Sequence, residues 1–354
     1  LAARPASPEG ALPERLARAI ALTGPMPLSQ FMAAANAEYY ARGAAIGATG
    51  DFVTSPEISQ MFGELIGVWL ADLWDRAGRS AAYFVELGPG RGTLAADALR
   101  AMGTAGLMPS VHFVETSLAL RASQGERVPE VTWHDDVASL PDDRPLLIVA
   151  NEFFDALPVE QLVRGADGWR RRLVASQDTL FVPIAGPIVP ETVIPEHLRD
   201  APGGSVIETS PATIATVRVL AAKLANQGGA LLVIDYGHDG PALGETLQAV
   251  RGHRFANPFD APGTVDLSAH VDFTTLGAAA TVARCIVYGA VSQRDFLGQL
   301  GLAQRAAVLA RQAPERADEI AAAHHRLADP AAMGTLFRAM AVTAPEWPVP
   351  AGFA

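Results

Sequence analysis

From residue 81 onward the chain repeats one pattern, a short apolar run that ends in polar residues. AAYFVELG (81–88), SVHFVETS (110–117), EVTWHDD (130–136), PLLIVANEF (145–153) and ALLVIDYG (230–237) all have this form. The stretch LAADALRAMG between the first two reads as a helix. So does TSPATIATVRVLAAKLANQGG (209–229), with Thr209 or Ser210 as its cap and Gly228 as its stop. Short apolar strands alternating with helices predict an α/β fold, a mostly parallel sheet with helices on both faces. Ligands bind such open sheets at the carboxyl ends of the strands, which is where the polar residues cluster.

The flanking segments read differently. Residues 10–80 are mostly helical: LPERLARAIALTG has an apolar face at helical spacing, and PLSQFMAAANAEYYARG follows with Ser29 as its N-cap. GDFVTSPE (50–57) reads as a loop and EISQMFGELIGVWLADLWDRAG (57–78) as one long helix. Segment 159–205 breaks the α/β rhythm with hairpin turns at GADG and SQD, then a Pro/Gly-rich run. It predicts an inserted β-rich meander that covers one edge of the site. RCIVYGAVSQRDFL supplies a late strand, and 303–327 is helical and Ala-rich.

Composition narrows the function classes. Of 354 residues, 49% are hydrophobic and 18% charged, as in a packed globular chain. A net charge of -11 argues against non-specific nucleic-acid binding and suits a basic partner such as an Arg-bearing polypeptide. The single cysteine, Cys285, rules out an internal disulfide and a Cys-based zinc site, and reads as a small buried hydrophobe. The apolar runs LLIVA (146–150) and ALLVI (230–234) fall far below the roughly 20 residues of a membrane span. The first residues, LAARPASPEGALPERLARAI, do not look like a secretory signal. A bacterial cytoplasmic protein fits this, and so does a mitochondrial matrix protein.

VELGPGRGTL carries the most specific chemistry. A strand ends in Glu86, Gly88, Gly90 and Gly92 follow at alternate positions, and a helix begins. A dinucleotide pyrophosphate asks for G-x-G-x-x-G, in which the third glycine comes one residue later. The spacing acid-x-G-x-G-x-G, with a carboxylate that repels pyrophosphate and suits a cationic amino acid, points to S-adenosyl-L-methionine. The next strand ends in Glu115, placed to take both ribose hydroxyls. After the third, Asp136 is a candidate for the adenine amino group with Val137 beside it, or else Asp135 and Asp136 simply cap a turn.

The fourth strand runs into NEFFDALP (151–158), the expected acceptor side. Two readings stay open. Asn151 to Phe154 has the N-x-x-aromatic shape that holds a planar amide or amino nitrogen, although Glu152 and Phe153 stand where two prolines are usual. Alternatively, Glu152 and Asp155 form a carboxylate pair for a guanidinium, a rigid planar fork. Methyl transfer needs in-line placement and a matched electrostatic site, with no nucleophilic side chain and no metal. IDYGH (234–238) and GTVDLSAHVDF (263–273) are too polar to be connectors; His238 or His270 is a candidate proton acceptor, and their spacing does not suit a metal.

GDFVTSPEISQMFGELIGVW, VELGPGRGTL, NEFFDALP, IDYGH and GTVDLSAHVDF, in that order, resemble the MidA-like family over roughly residues 25–300. That family includes the mitochondrial complex I assembly-factor arginine methyltransferase and its bacterial relatives. The resemblance implies a class I (Rossmann-like) methyltransferase fold with S-adenosyl-L-methionine as cofactor and a protein substrate, a core subunit of complex I. It implies that Gly88, Gly90 and Gly92 line the cofactor, with Glu115 on the ribose and residues 151–158 facing the acceptor. Thr54 and Ser55, in the TSPEIS stretch, look like part of a lid over the cofactor. The resulting division is a helical region with the lid (1–80), a methyltransferase core (81–302) with its insertion, and a helical tail (303–354). An assembly chaperone that binds cofactor without essential catalysis, and a small-molecule or amide-nitrogen methyltransferase, are the other readings.

Overall fold

The computed structural model describes residues 10–41, 54–251 and 254–353. In chain order the elements are α1 (Leu12–Thr23), β1 (Met26–Pro27), α2 (Leu28–Ala41), α3 (Ser55–Ile58), α4 (Gln60–Arg76), β2 (Tyr83–Leu87) and α5 (Thr93–Thr104). Then come β3 (Ser110–Val114), α6 (Leu118–Arg127), β4 (Val131–His134), β5 (Leu146–Asn151), β6 (Glu160–Gly165), β7 (Gly168–Gln177), β8 (Leu180–Ile188) and β9 (Val206–Thr209). After α7 (Pro211–Gln227) and β10 (Gly229–His238) lie β11 (Gln248–Arg251), β12 (Arg254–Ala256), β13 (Asp266–Ser268) and β14 (Val271–Asp272). The chain closes with α8 (Phe273–Thr281), β15 (Ile286–Ser292), α9 (Gln293–Gln299), α10 (Leu302–Gln312), α11 (Ala317–Ala328) and β16 (Phe337–Thr343).

These elements form two compact units that interleave along the chain, where the sequence pattern suggests segments in order. The larger takes its described residues from Ile46–Asp155, Ile214–Asp239 and Val271–Ala354. Its sheet runs β15-β16-β10-β5-β2-β3-β4, with β14 added beside β10. The strands from β10 through β5, β2 and β3 to β4 are parallel, and β16 runs antiparallel between β10 and β15. Every residue of β5, LLIVAN, is buried, as a strand covered on both faces requires. Phe84, Leu147, Leu232 and Ala339 share one core with α4, α5 and the helices α9 to α11. From β2 the chain steps outward to β3 and β4, then returns to place β5 on the other side of β2. That reversal is a switch point, and it brings the glycine turn and NEFFDALP side by side.

The smaller unit takes its described residues from Leu1–Ala45, Ala156–Thr213 and Gly240–His270. Strands β1, β7, β6 and β9 form its sheet, with β8 against β7, and β12-β11-β13 form a second one. The meander expected over 159–205 is therefore present as β6 to β8. Its core gathers Leu16, Phe31, Met32, Phe181 and Leu267. Asn36 Nδ2 donates to the carbonyls of Ala156 and Leu267, at 3.0 and 2.8 Å, and its Oδ1 accepts the Leu267 amide, so one buried amide ties three separate stretches.

Several local expectations need correction. Residues 55–58 are a helical turn, not a loop, and Gly50 to Val53 lie outside the described residues. The helix expected over 57–78 breaks at Ser59, which is extended (φ -164°) and caps α4 by accepting the Met61 amide. Ser29 lies inside the first turn of α2, not at its cap. The tail expected to be wholly helical contains β16: FRAMAVT is buried on both faces, so it lacks the period-two alternation that would mark it, and its alanines mimic helix. At α7, the Ser210 hydroxyl accepts the Thr213 amide at 3.2 Å, as a cap should. Cys285 is buried, with its Sγ 3.3 Å from the Ala221 carbonyl. Among the described residues no helix is long and apolar enough to cross a membrane.

Candidate functional site

The turn from β2 to α5 puts Gly88, Gly90 and Gly92 at φ +59°, +54° and +78°, the left-handed region open to glycine. Space is tight as well: a Cβ on Gly88 would lie 2.9 Å from Phe153 Cδ2. Glu86 stands just before the turn with 3% of its surface exposed. Burial pushes its carboxyl up to about 8, opposed by a hydrogen bond from the Ala95 amide in the first turn of α5. Among the described residues its buried Oε2 has no hydrogen-bond partner. A buried acid with an unmet oxygen beside left-handed glycines fits a cationic amino-acid ligand, and that ligand would recover the charge this carboxyl gives up.

Glu115 is also buried. Its Oε1 accepts the Ser117 amide at 2.7 Å, and its Oε2 accepts Gln124 Nε2 at 3.3 Å. Burial raises its pKa, and those donors oppose the rise. The fully buried Gln124, which nothing in the sequence marks, also donates to the Gly90 carbonyl at 2.8 Å and accepts Trp133 Nε1 at 2.8 Å. It therefore ties the glycine turn to the acid of the next strand. Asp136 is exposed and caps the 3-10 turn Val137–Ser139, its Oδ1 accepting the Ser139 amide at 2.9 Å. Asp135 is ion-paired with Arg121 at 2.5 Å.

Beyond Asn151 the chain leaves the sheet through Glu152, which takes φ +51° although it has a side chain. Its amide still donates to the Ile234 carbonyl at 2.9 Å, so the ladder to β10 runs up to the turn. The next three amides, of Phe153, Phe154 and Asp155, all reach Asp235 Oδ2, at 3.2, 3.0 and 3.2 Å. Asp235 Oδ1 accepts the Tyr236 amide at 3.0 Å, and the residue has no exposed surface. Burial first, then the charges of Asp155 and Glu152, hold its pKa well above the carboxylate range. Glu152 is half-buried as a residue, and desolvation of its carboxyl pushes its pKa up to about 7, with Asp155 adding to the rise. Three acids thus gather in and beneath one loop, an arrangement that an arriving cation relieves.

The TSPEIS stretch docks on both motifs. The buried Ser55 donates its amide to Glu152 Oε1 at 2.8 Å, where Asn151 Nδ2 also donates at 3.1 Å. Glu57 accepts the Thr93 hydroxyl at the start of α5 and lies 3.9 Å from Arg91. Thr54 sits at the cap position of α3 with no side-chain cap bond. Asn151 Oδ1 is buried and, among the described residues, without a partner. One compact unit therefore brings together Thr54, Ser55, Glu86, the three glycines, Glu115, Asn151, Glu152 and Asp155. His270 belongs to the other unit, where its amide donates to Thr246 Oγ1 at 2.8 Å. Asp272, from the same motif, caps α8 by accepting the Thr275 amide. The sequence singled out Asp235 only as too polar for a connector and gave no sign of Gln124.

Residues 65–291 match the family described as "Putative S-adenosyl-L-methionine-dependent methyltransferase". The chain is 35% identical to the mitochondrial protein arginine methyltransferase NDUFAF7 of Mus musculus, with 90% of this chain and 81% of that one covered. Against the Danio rerio protein of the same name the identity is 33%, with 93% and 86% covered. A Burkholderia thailandensis crystal structure, solved bound to S-adenosyl-homocysteine, superposes with a TM-score of 0.84 at 29% identity, over 94% of this chain and 92% of that one.

Proposed function

This chain belongs to a family of S-adenosyl-L-methionine-dependent methyltransferases, and from that premise we propose that its acceptor is the guanidinium of an arginine in a protein substrate. The observation that carries this reading is the carboxylate pair Glu152 and Asp155 on the loop after β5, set over Asp235. A guanidinium is a rigid, permanently charged fork that matches such acids. The names of the mouse and zebrafish relatives point the same way.

When bound, S-adenosyl-L-methionine supplies an electrophilic methyl group on a sulfonium. Gly88, Gly90 and Gly92 would let its amino-acid part approach the backbone, with Glu86 toward its positive charge and Glu115 toward the ribose. Asp136 and Val137 would lie at the adenine edge. Ser55 and Thr54, on the strap anchored through Glu152 and Glu57, would cover the cofactor and limit water. Glu152 and Asp155 would hold the guanidinium, and Asn151 Oδ1 would fix its plane. A guanidinium nitrogen sheds one proton as it gains a methyl group, so the acceptor keeps a single charge. Glu152, with a pKa near neutrality, is matched to take that proton.

A second reading, transfer to an amide nitrogen, is favoured by the unmet Asn151 Oδ1 in its N-x-x-aromatic setting. For the acceptor protein we propose a complex I subunit, on the family resemblance. The compartment follows from that: the bacterial cytoplasm, or the mitochondrial matrix toward which the relatives' names point. The test is to incubate the protein and methyl-labelled cofactor with complex I subunits from cells lacking it, then hydrolyse. Label in methylarginine supports the proposal. Label in an amide, or normal complex assembly with residues 152–155 replaced by alanine, favours the amide methyltransferase or the chaperone respectively.

A further inference from the structure

We infer that Asp235 is the positioning residue of the acceptor loop: its carboxyl oxygen serves as an internal acceptor around which Phe153, Phe154 and Asp155 fold, and it aims Glu152 and Asp155 without touching the substrate. This rests on the reading that residues 151–158 face the acceptor. Three consecutive amides converge on a single oxygen, Asp235 Oδ2, at 3.0 to 3.2 Å. Successive backbone N–H groups of this kind form an anion-binding nest. Here the accepting oxygen comes from the neighbouring strand, since Asp235 lies in β10 immediately beyond Ile234, the residue paired with Asn151.

The sequence of the loop explains why it needs such an anchor. From Asn151 to Leu157 it contains neither glycine nor proline, yet Glu152 takes φ +51°. A non-glycine residue in that region is held there by its surroundings. The Ile234 carbonyl fixes the amide of Glu152, and Asp235 fixes the three that follow. The loop is therefore clamped from one side by β10, which leaves the side chains of residues 152 and 155 as its chemical face. Asp235 itself has no exposed surface, so it acts through those residues.

Asp235 and Glu152 are also electrostatically coupled, the charge of Glu152 raising the pKa of Asp235.

The test has two arms. In the wild-type protein, amide hydrogen exchange at Phe153, Phe154 and Asp155 should be slowed on the order of a hundredfold relative to an open loop; exchange at open-loop rates overturns the inference whatever the acceptor is. In Asp235→Asn, S-adenosyl-homocysteine affinity should stay within about threefold of wild type while kcat/KM for transfer falls on the order of a hundredfold. The loss should fall in kcat, with the KM for the acceptor within about threefold of wild type. Transfer within about threefold of wild type, or a loss confined to KM, overturns it. Should the variant fail to fold, the exchange arm still decides. If the wild type methylates no arginine, the arginine proposal fails while the exchange result for Asp235 stands.

Discussion

The amide of Ser55 donates to Glu152 Oε1 at 2.8 Å, joining the strap before α4 to the loop after β5 across 97 residues of chain. The same carboxyl is the candidate holder of the acceptor. In the proposed reading, covering the cofactor and receiving the substrate share one side chain, and a change at Glu152 should separate into two effects.

The first prediction makes that separation. Glu152→Gln keeps a carbonyl oxygen for the Ser55 amide, so S-adenosyl-homocysteine affinity should stay within about threefold of wild type while transfer falls by tenfold or more, roughly 1.4 kcal/mol. Glu152→Ala strands the Ser55 amide, so it should weaken cofactor binding too and cost about 1–3 kcal/mol of stability. Wild-type kcat/KM should fall as pH drops below about 7, where Glu152 takes up a proton, and Glu152→Gln should lack that limb. Steady-state kinetics across pH, paired with calorimetric titration, checks all three.

Glu86 yields a stability prediction. Its carboxyl is pushed from 4.5 to about 8 by burial. Between those values the folded chain keeps a proton that the unfolded chain has released, so this group lowers stability as pH rises through the window and has no such effect below it. Glu86→Gln should therefore gain on wild type by up to about 1.4 kcal/mol per pH unit across that range. Denaturant unfolding of the cofactor-free protein at several pH values measures it. A gap that does not change with pH would contradict the buried-acid account. The variant should also bind cofactor more weakly.

Gln124→Leu preserves bulk but removes the donor to the Gly90 carbonyl and to Glu115, and the acceptor for Trp133. S-adenosyl-homocysteine affinity should fall about tenfold and stability by roughly 1–3 kcal/mol, since the buried Glu115 and two partly buried polar groups lose this partner. Binding unchanged in this variant would mean that the tie between the turn and the acid does not matter to the cofactor.

Much of this was legible in the chain, for physical reasons. Buried parallel strands are continuous apolar runs, so β2, β3, β5 and β10 stood out, and the acids and glycines at their ends followed. The three glycines were visible because the turn needs left-handed backbone, and Glu86 because it is an acid in the apolar strand just before them. Strand β16 was hidden because both its faces are buried and its alanines fit a helix equally well. Gln124 was hidden because its role depends on meeting Gly90 and Glu115 in space, and its helix, LALRASQGER, shows only ordinary polarity. Asp235 was visible as an acid ending an apolar strand, but its hold on three amides depends on β5 and β10 being neighbours. The interleaving of the two units could not be read from local composition, because it is set by tertiary contacts.

Gly88→Ala should harm two functions at once. The residue sits at φ +59°, and its new Cβ would meet Phe153 at 2.9 Å. The variant should lose cofactor affinity and also disturb the acceptor loop, with an expected cost of at least about 1 kcal/mol in stability. Calorimetry and thermal unfolding check both parts.

The most direct measurement is Asp155→Ala, titrated with S-adenosyl-homocysteine and assayed for transfer to an arginine-containing acceptor in parallel. The account predicts cofactor affinity within about threefold of wild type together with a loss of transfer on the order of a hundredfold, because the carboxylate serves the guanidinium and not the cofactor. Transfer at the wild-type rate would contradict the carboxylate clamp and, with it, the assignment of arginine as the acceptor.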